Sequence, residues 1–235
     1  MSHLDSIGFN INSSEEFEAL MAKVFEEGVE YKVDEGTYVV YTNESGAQIY
    51  AQLDNEGNFL GFMPFYDAQI TKEVKLESFV KNEDLSPLDM RYNARSQLET
   101  YPFVFDTVNG KTKRLEVKNQ ELAFVAFPTE IAYFETAEAF VSAMPELSAT
   151  YFIPVGLMTP EGTPTDNPEP YAMFIGEIKS IEKKTNSYSN QEFYVFELSA
   201  LEGDVTVVAS INSLNNVEPK VGGFINGVYW MGAKV

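Results

Sequence analysis

The chain has 235 residues, 44% of them hydrophobic with 18 Phe and 13 Tyr, and carries a formal charge of −20 from 36 acids against 16 bases, with one histidine and no cysteine. That is ample apolar material for a folded core, while the missing cysteine excludes disulfides, thiol nucleophiles and Cys-rich metal sites. A lone His3, near an end expected to fray, excludes a multi-histidine zinc site and leaves a Ser-His-Asp triad without a well-placed imidazole.

The charge is graded along the chain: about −11 over residues 1–70, −7 over 71–170 and −2 over 171–235. Such a balance repels nucleic-acid phosphates and anionic lipid and attracts basic protein surfaces. The opening MSHLDSIGFN has no basic segment followed by an apolar stretch, and no apolar run approaches the roughly 20 residues that span a bilayer. With no cysteine in the chain, a soluble cytoplasmic protein is expected, without membrane contact, cofactor or metal.

Residues 7–11 alternate apolar side chains at a strand's period. The phrase Asn12-Ser13-Ser14-Glu15-Glu16 then supplies N-caps and first-turn acids, so a helix is expected with Phe17, Leu20, Met21, Val24 and Phe25 on its packed face and Gly28 after its end. Strands follow at 31–33, 37–42, 47–53 and 59–65, rich in β-branched and aromatic residues and separated by Asx- and Gly-containing turns. The phrase 54–58 has the oxygen ligands of a calcium loop but neither the spacing nor the terminal glutamate of an EF-hand, and is read as a hairpin turn.

Between 71 and 99 the pattern weakens, and strands return at 101–107 and 115–127. The turn joining them and the start of the second strand carry Lys111, Lys113, Arg114 and Lys118, the one dense basic cluster, read as protection of a sheet edge. Residues 7–17 and 131–140 both resemble a strand end entering a capped helix, a faint internal echo that capping rules alone can generate. A second helix over 137–147 is cut short or kinked by Pro145. Four prolines in 159–170 exclude regular helix there and make it the boundary between an α+β region at 1–158 and a C-terminal unit at 171–235. That unit reads as strands at 171–181, 192–198, 205–211 and 224–233, a pattern resembling a small OB-like β-barrel. The expected fold is therefore α+β: a helix packed on antiparallel sheet, with a C-terminal OB-like barrel.

Function is less legible. An OB-like barrel offers Tyr188, Phe193, Tyr194, Tyr229 and Trp230 for stacking on an oligonucleotide or oligosaccharide, with Lys179, Lys183 and Lys184 nearby, although the segment's charge opposes nucleic acid. Glu15, Glu16, Glu26 and Glu27 offer an acidic face for a basic protein partner, as in an inhibitor or immunity-type protein. Glu130, Glu135 and Glu138 could serve a carboxylate-dependent hydrolase, but no phosphate loop, HExxH or GxSxG phrase accompanies them. The leading expectation is a non-catalytic binding or protein-interaction protein with no catalytic residues.

Overall fold

The computed structural model describes residues 3–81, 85–96, 101–113, 115–159, 161–215 and 217–235. Helix α1 (Ser14–Glu27) begins where the sequence places it: Ser13 Oγ accepts from Glu16 N–H at 3.2 Å, and Glu16 Oε2 reaches back to Asn12 N–H at 2.7 Å. Its Leu20, Met21 and Val24 are buried, whereas Phe25, expected on the same face, is 42% exposed, its ring set edge-on to that of Phe59. Strands β1 (Val29–Val33), β2 (Gly36–Thr42), β3 (Ala47–Leu53) and β4 (Phe59–Tyr66) form an antiparallel meander in that order. The β3–β4 connection is the expected hairpin turn: Asp54 Oδ1 accepts from Glu56 N–H and Asn58 N–H, both at 2.8 Å, and Gly57 takes φ +86°.

Residues 7–11 are not a strand. Asp5–Ile7 form a single 3-10 turn, and Ile7 and Phe9 are buried from irregular backbone in an apolar cluster that joins residues of α1, of the meander and of the C-terminal strands. Asn186 fixes this segment, donating to Ile7 C=O at 2.8 Å and accepting from Asn43 at 2.8 Å. His3 does not fray: its ring stacks on Trp230 at 5.3 Å, and burial lowers its pKa.

The rest of the chain is strands β5 (Thr71–Val80), β6 (Met90–Ser96), β7 (Pro102–Thr107) and β8 (Asn119–Phe134), a short helix α2 (Ala137–Ala143), then β9 (Phe152–Ile153), β10 (Tyr171–Thr185), β11 (Glu192–Ala200), β12 (Gly203–Ser210) and β13 (Phe224–Lys234). Helix α2 is capped by Thr136, whose Oγ1 accepts from Ala139 N–H at 3.1 Å, and stops short of Pro145. These strands join one nine-stranded sheet whose pairings close two rings: β8-β5-β6-β7-β13 and β8-β12-β11-β10-β13, sharing the antiparallel β8–β13 pair.

The rings are related by an internal repeat in which β10–β13 retrace β5–β8. Moving 100 residues along takes Thr71 to Tyr171, and 107 residues takes its partner Ala123 to Trp230, the partner of Tyr171. Leu76↔Ala94 becomes Gly176↔Ala200, and Met90↔Thr107 becomes Phe196↔Val207. The parallel pair Asp106↔Gly232 becomes Thr206↔Val125, so each half lends its fourth strand to the other's ring. The pseudo-twofold axis passes through Val125 and Gly232, which pair with each other. Inward residues obey the same relation: Leu122, Phe124 and Ala126 correspond to Tyr229, Met231 and Ala233, all in one apolar cluster.

Expectations about the fold and about the basic cluster are corrected here. The fold is not a helix on an α+β sheet with an OB-like barrel: among the described residues it has thirteen strands in sheets of four and nine, and only two α-helices. The α-helical signal was strong but local, whereas the strands that dominate are joined by pairings distant in sequence; the C-terminal segment is sheet, but its ring closes only through β8. The repeat does not relate 7–17 to 131–140, since only the second phrase ends a strand. The basic cluster does not guard a hairpin edge, because β7 and β8 do not pair; Lys111 meets Glu35 at 2.8 Å, Lys118 meets Glu116 at 2.6 Å, Lys113 is exposed, and Arg114 lies outside the described residues. Among the described residues, no helix is long and apolar enough to cross a membrane.

Candidate functional site

Two concavities flank corresponding places in the two halves, one polar and one apolar. The polar cleft, about 300 Å³, opens between β5, the end of β6 and the β11–β12 turn, with Lys72, Ser96, Glu202 and Asp204 among its lining residues. The turn brings Glu202 inward: Gly203 takes φ +99°, a backbone region open to glycine, and the Lys72 stem passes beside it. Glu202 is 4% exposed; its Oε2 accepts from the Ser96 hydroxyl, while its Oε1 meets no hydrogen-bond partner among the described residues. The Lys72 ammonium lies 5.6 Å from the centre of the Phe103 ring. Burial pulls its pKa down to about 8, against the opposing pull of Glu202 and Asp204. Behind the polar mouth, Lys72 and Glu202 border Phe152, Phe174, Val205 and Met231.

The apolar groove, about 560 Å³, lies at the start of β7 and along the chain after β9. Its walls include Tyr101, Phe152, Pro154, Leu157, Met158 and Pro164. The proline-rich run is an ordered surface loop in its described residues: Met158 bridges Pro164, Thr159 N–H donates to Thr163 C=O at 2.7 Å, and Arg91 Nη1 donates to Pro168 C=O at 3.2 Å. Pro160 lies outside the described residues. Gly156 is fixed by contact, since a Cβ there would sit 1.9 Å from Glu169 O. Met158 and Tyr101 remain 45% and 37% exposed, large apolar side chains left open to solvent beside the groove. Most of its lining comes from residues 152–165, inside a stretch, 119–178, that contains nine carboxylates and not one Lys or Arg; Tyr101 and Pro102 complete it.

The ring residues expected to bind ligand are not gathered on a surface. Tyr229 is fully buried, its ring 4.2 Å from that of Phe174, and burial holds its ionisation well above the usual phenol value. Trp230 is buried against Phe127 and donates its Nε1–H to Asp106 Oδ2 at 3.1 Å. Tyr194 and Phe193 are core residues, and Tyr188 is half-buried against Phe9. Lys183 pairs with Glu192 at 2.8 Å, Lys184 with Glu182 at 2.5 Å, and Lys179 with Glu177 at 3.0 Å.

The α1 acids are partly engaged within their own helix. Glu16 completes the cap, Glu15 is held below the usual carboxylate pKa by backbone and Ser13 hydrogen bonds, and Glu27 pairs with Lys23, leaving Glu26 exposed. Glu130, Glu135 and Glu138 are exposed, and none lines either concavity. Among the described residues no group of three or more His, Asp or Glu is placed to hold a metal ion.

Sequence reasoning passed over Lys72, which lies in the stretch where the pattern weakens, and Glu202, which read as an ordinary turn charge; the signal available was a Leu-Glu-Gly-Asp turn that directs one acid inward. No family model, no curated protein and no solved structure matches this chain.

Proposed function

We propose that this chain is a non-catalytic, cytoplasmic protein-interaction module that seats an apolar side chain of a basic partner in the groove beside Leu157 and Met158. One observation carries the reading: eight of the ten residues lining this apolar groove come from a stretch of sequence with nine carboxylates and no base. An apolar pocket desolvates an anchoring side chain, and surrounding charge of one sign draws in a partner of the other. Exposed Met158 suits such a surface, because an unbranched thioether adapts to differently shaped anchors. The buried rings and paired lysines at 183 and 184 favour this reading over an oligonucleotide or oligosaccharide platform.

Fluorescein-labelled peptides test it. A Lys-rich peptide bearing Leu and Phe should bind, and should weaken as salt shortens the screening length to about 8 Å. Peptides with Glu replacing Lys, or Ser replacing Leu and Phe, should not bind. Leu157→Asp should abolish the polarisation change while leaving the thermal transition in place. Equal binding of the acidic peptide, or indifference to Leu157→Asp, would remove the groove from consideration.

A further inference from the structure

We propose that the cleft formed by Lys72, Ser96 and Glu202 is a carbonyl-condensing site, in which the Lys72 amine forms an imine with a small neutral aldehyde or ketone and Glu202 carries the proton. The inference is independent of the groove and of any protein partner.

The internal repeat supplies the first argument. The positions that match Lys72 and Glu202 in the other half are Ala172 and Pro102, one a fully buried small residue and the other a strand's first residue. The architecture is therefore satisfied at this register without an amine or a carboxylate. Two ionisable groups at the rim of an apolar core cost stability unless paired, and neither is fully paired here. Lys72 makes no ion pair with a described residue, and Glu202 Oε1 is buried with no partner among them.

Chemistry supplies the second. A lysine becomes a nucleophile at neutral pH when apolar surroundings disfavour its charge and a nearby base receives its proton. Phe103, Phe152, Phe174 and Met231 provide the surroundings, and Glu202 is the nearby base, oriented by the Ser96 hydroxyl. With its pKa near 8, about one Lys72 amine in ten is neutral at pH 7.

In the reaction the Lys72 ammonium, which stands beyond ion-pair distance of Glu202, first swings within its reach and gives it one proton. The amine nitrogen adds to the carbonyl carbon, and an N–H proton passes to the oxygen to give the carbinolamine. Glu202 then returns its proton to the hydroxyl, which leaves as water. One C–O double bond is replaced by one C–N double bond, the product is the protonated imine, and no atom is oxidised or reduced. The carboxylates of Glu73, Glu202 and Asp204 in the cleft disfavour a carboxylate-bearing carbonyl compound. A cleft of about 300 Å³ stands at the small end of ligand sites.

The experiment treats the full chain with butanal at pH 7, reduces with borohydride, and maps N-butyl lysines by peptide mass spectrometry. Lys72 should be labelled about tenfold faster than exposed Lys113 and Lys220, and faster by butanal than by 4-oxobutanoate. Glu202→Gln should slow labelling of Lys72 by about tenfold or more and leave the surface lysines unchanged. Should that variant fail to fold, Ser96→Ala, which loosens Glu202 without removing it, should slow Lys72 selectively. Labelling of Lys72 no faster than of Lys113, or unaltered by both variants, would overturn the proposal; Leu157→Asp should have no effect on it.

Discussion

Replacing Asp106 by alanine strips three hydrogen bonds from a single buried point. Asp106 Oδ1 accepts from Arg91 Nε at 2.7 Å, and Oδ2 accepts from Arg91 Nη2 and Trp230 Nε1, each at 3.1 Å. The Arg91 and Asp106 side chains are only 10% and 7% exposed, so the variant leaves a guanidinium shielded from water with Pro168 C=O as its remaining acceptor among the described residues. Breaking a buried pair from one side costs about 3–5 kcal/mol, because the surviving charge is uncompensated. For a chain of this size each kcal/mol moves the melting temperature by about 2–4 °C, so Asp106→Ala should lower it by about 6–20 °C. Thermal and urea unfolding followed by far-ultraviolet circular dichroism read the effect. The double variant Arg91→Met with Asp106→Leu removes both charges and should recover most of the loss. A cost for Asp106→Ala below about 1 kcal/mol would refute the reasoning, since that is the range of solvent-exposed pairs.

Tyr229→Phe should stabilise the protein by about 1–3 kcal/mol in urea unfolding, because the hydroxyl is buried with no partner among the described residues while the ring keeps its stacking on Phe174; a loss of stability would place a hydrogen bond on that oxygen. Lys72 has a folded pKa of about 8 against 10.5 for the free side chain, so the unfolded state binds the proton more tightly and this residue makes stability rise as pH increases from about 8 to 10.5. Urea midpoints across that window should climb less steeply in Lys72→Met than in the parent chain. Cleavage at a protease site engineered into 161–163 should leave the two fragments associated on gel filtration, since eleven β8–β13 residue pairs and both parallel contacts cross the cut.

What the sequence made legible was local. Ser13, Glu16 and Gly28 delimit α1, and Asp54 with Gly57 sets a hairpin, because caps and turns involve residues only a few positions apart. The nine-stranded sheet was hidden because its closing contacts are few and distant: β12 meets β8 at two residue pairs, as does β7 with β13. The repeat was equally hidden, since register rather than residue type is preserved: Lys72 faces the place of Ala172, Leu76 that of Gly176, Phe103 that of Gly203. Aromatic residues at 193, 194, 229 and 230 suggested a binding platform, but in this topology their strands bury them. The cleft escaped notice because its parts lie 130 residues apart in sequence and neither belongs to a motif.

The shared β8–β13 pair carries one more consequence. Each half completes its ring with a strand from the other, which is the arrangement two separate copies of a single half would adopt if they traded strands as a symmetric dimer. The segment 135–170 turns that encounter into an intramolecular one, with an effective concentration in the millimolar range for a short tether. Folding of the joined halves thereby escapes the dilution that would dissociate a dimer. A single chain is also free of a dimer's requirement that its two copies be identical, so the two symmetry-related places can differ: Lys72 and Glu202 stand at one, Ala172 and Pro102 at the other.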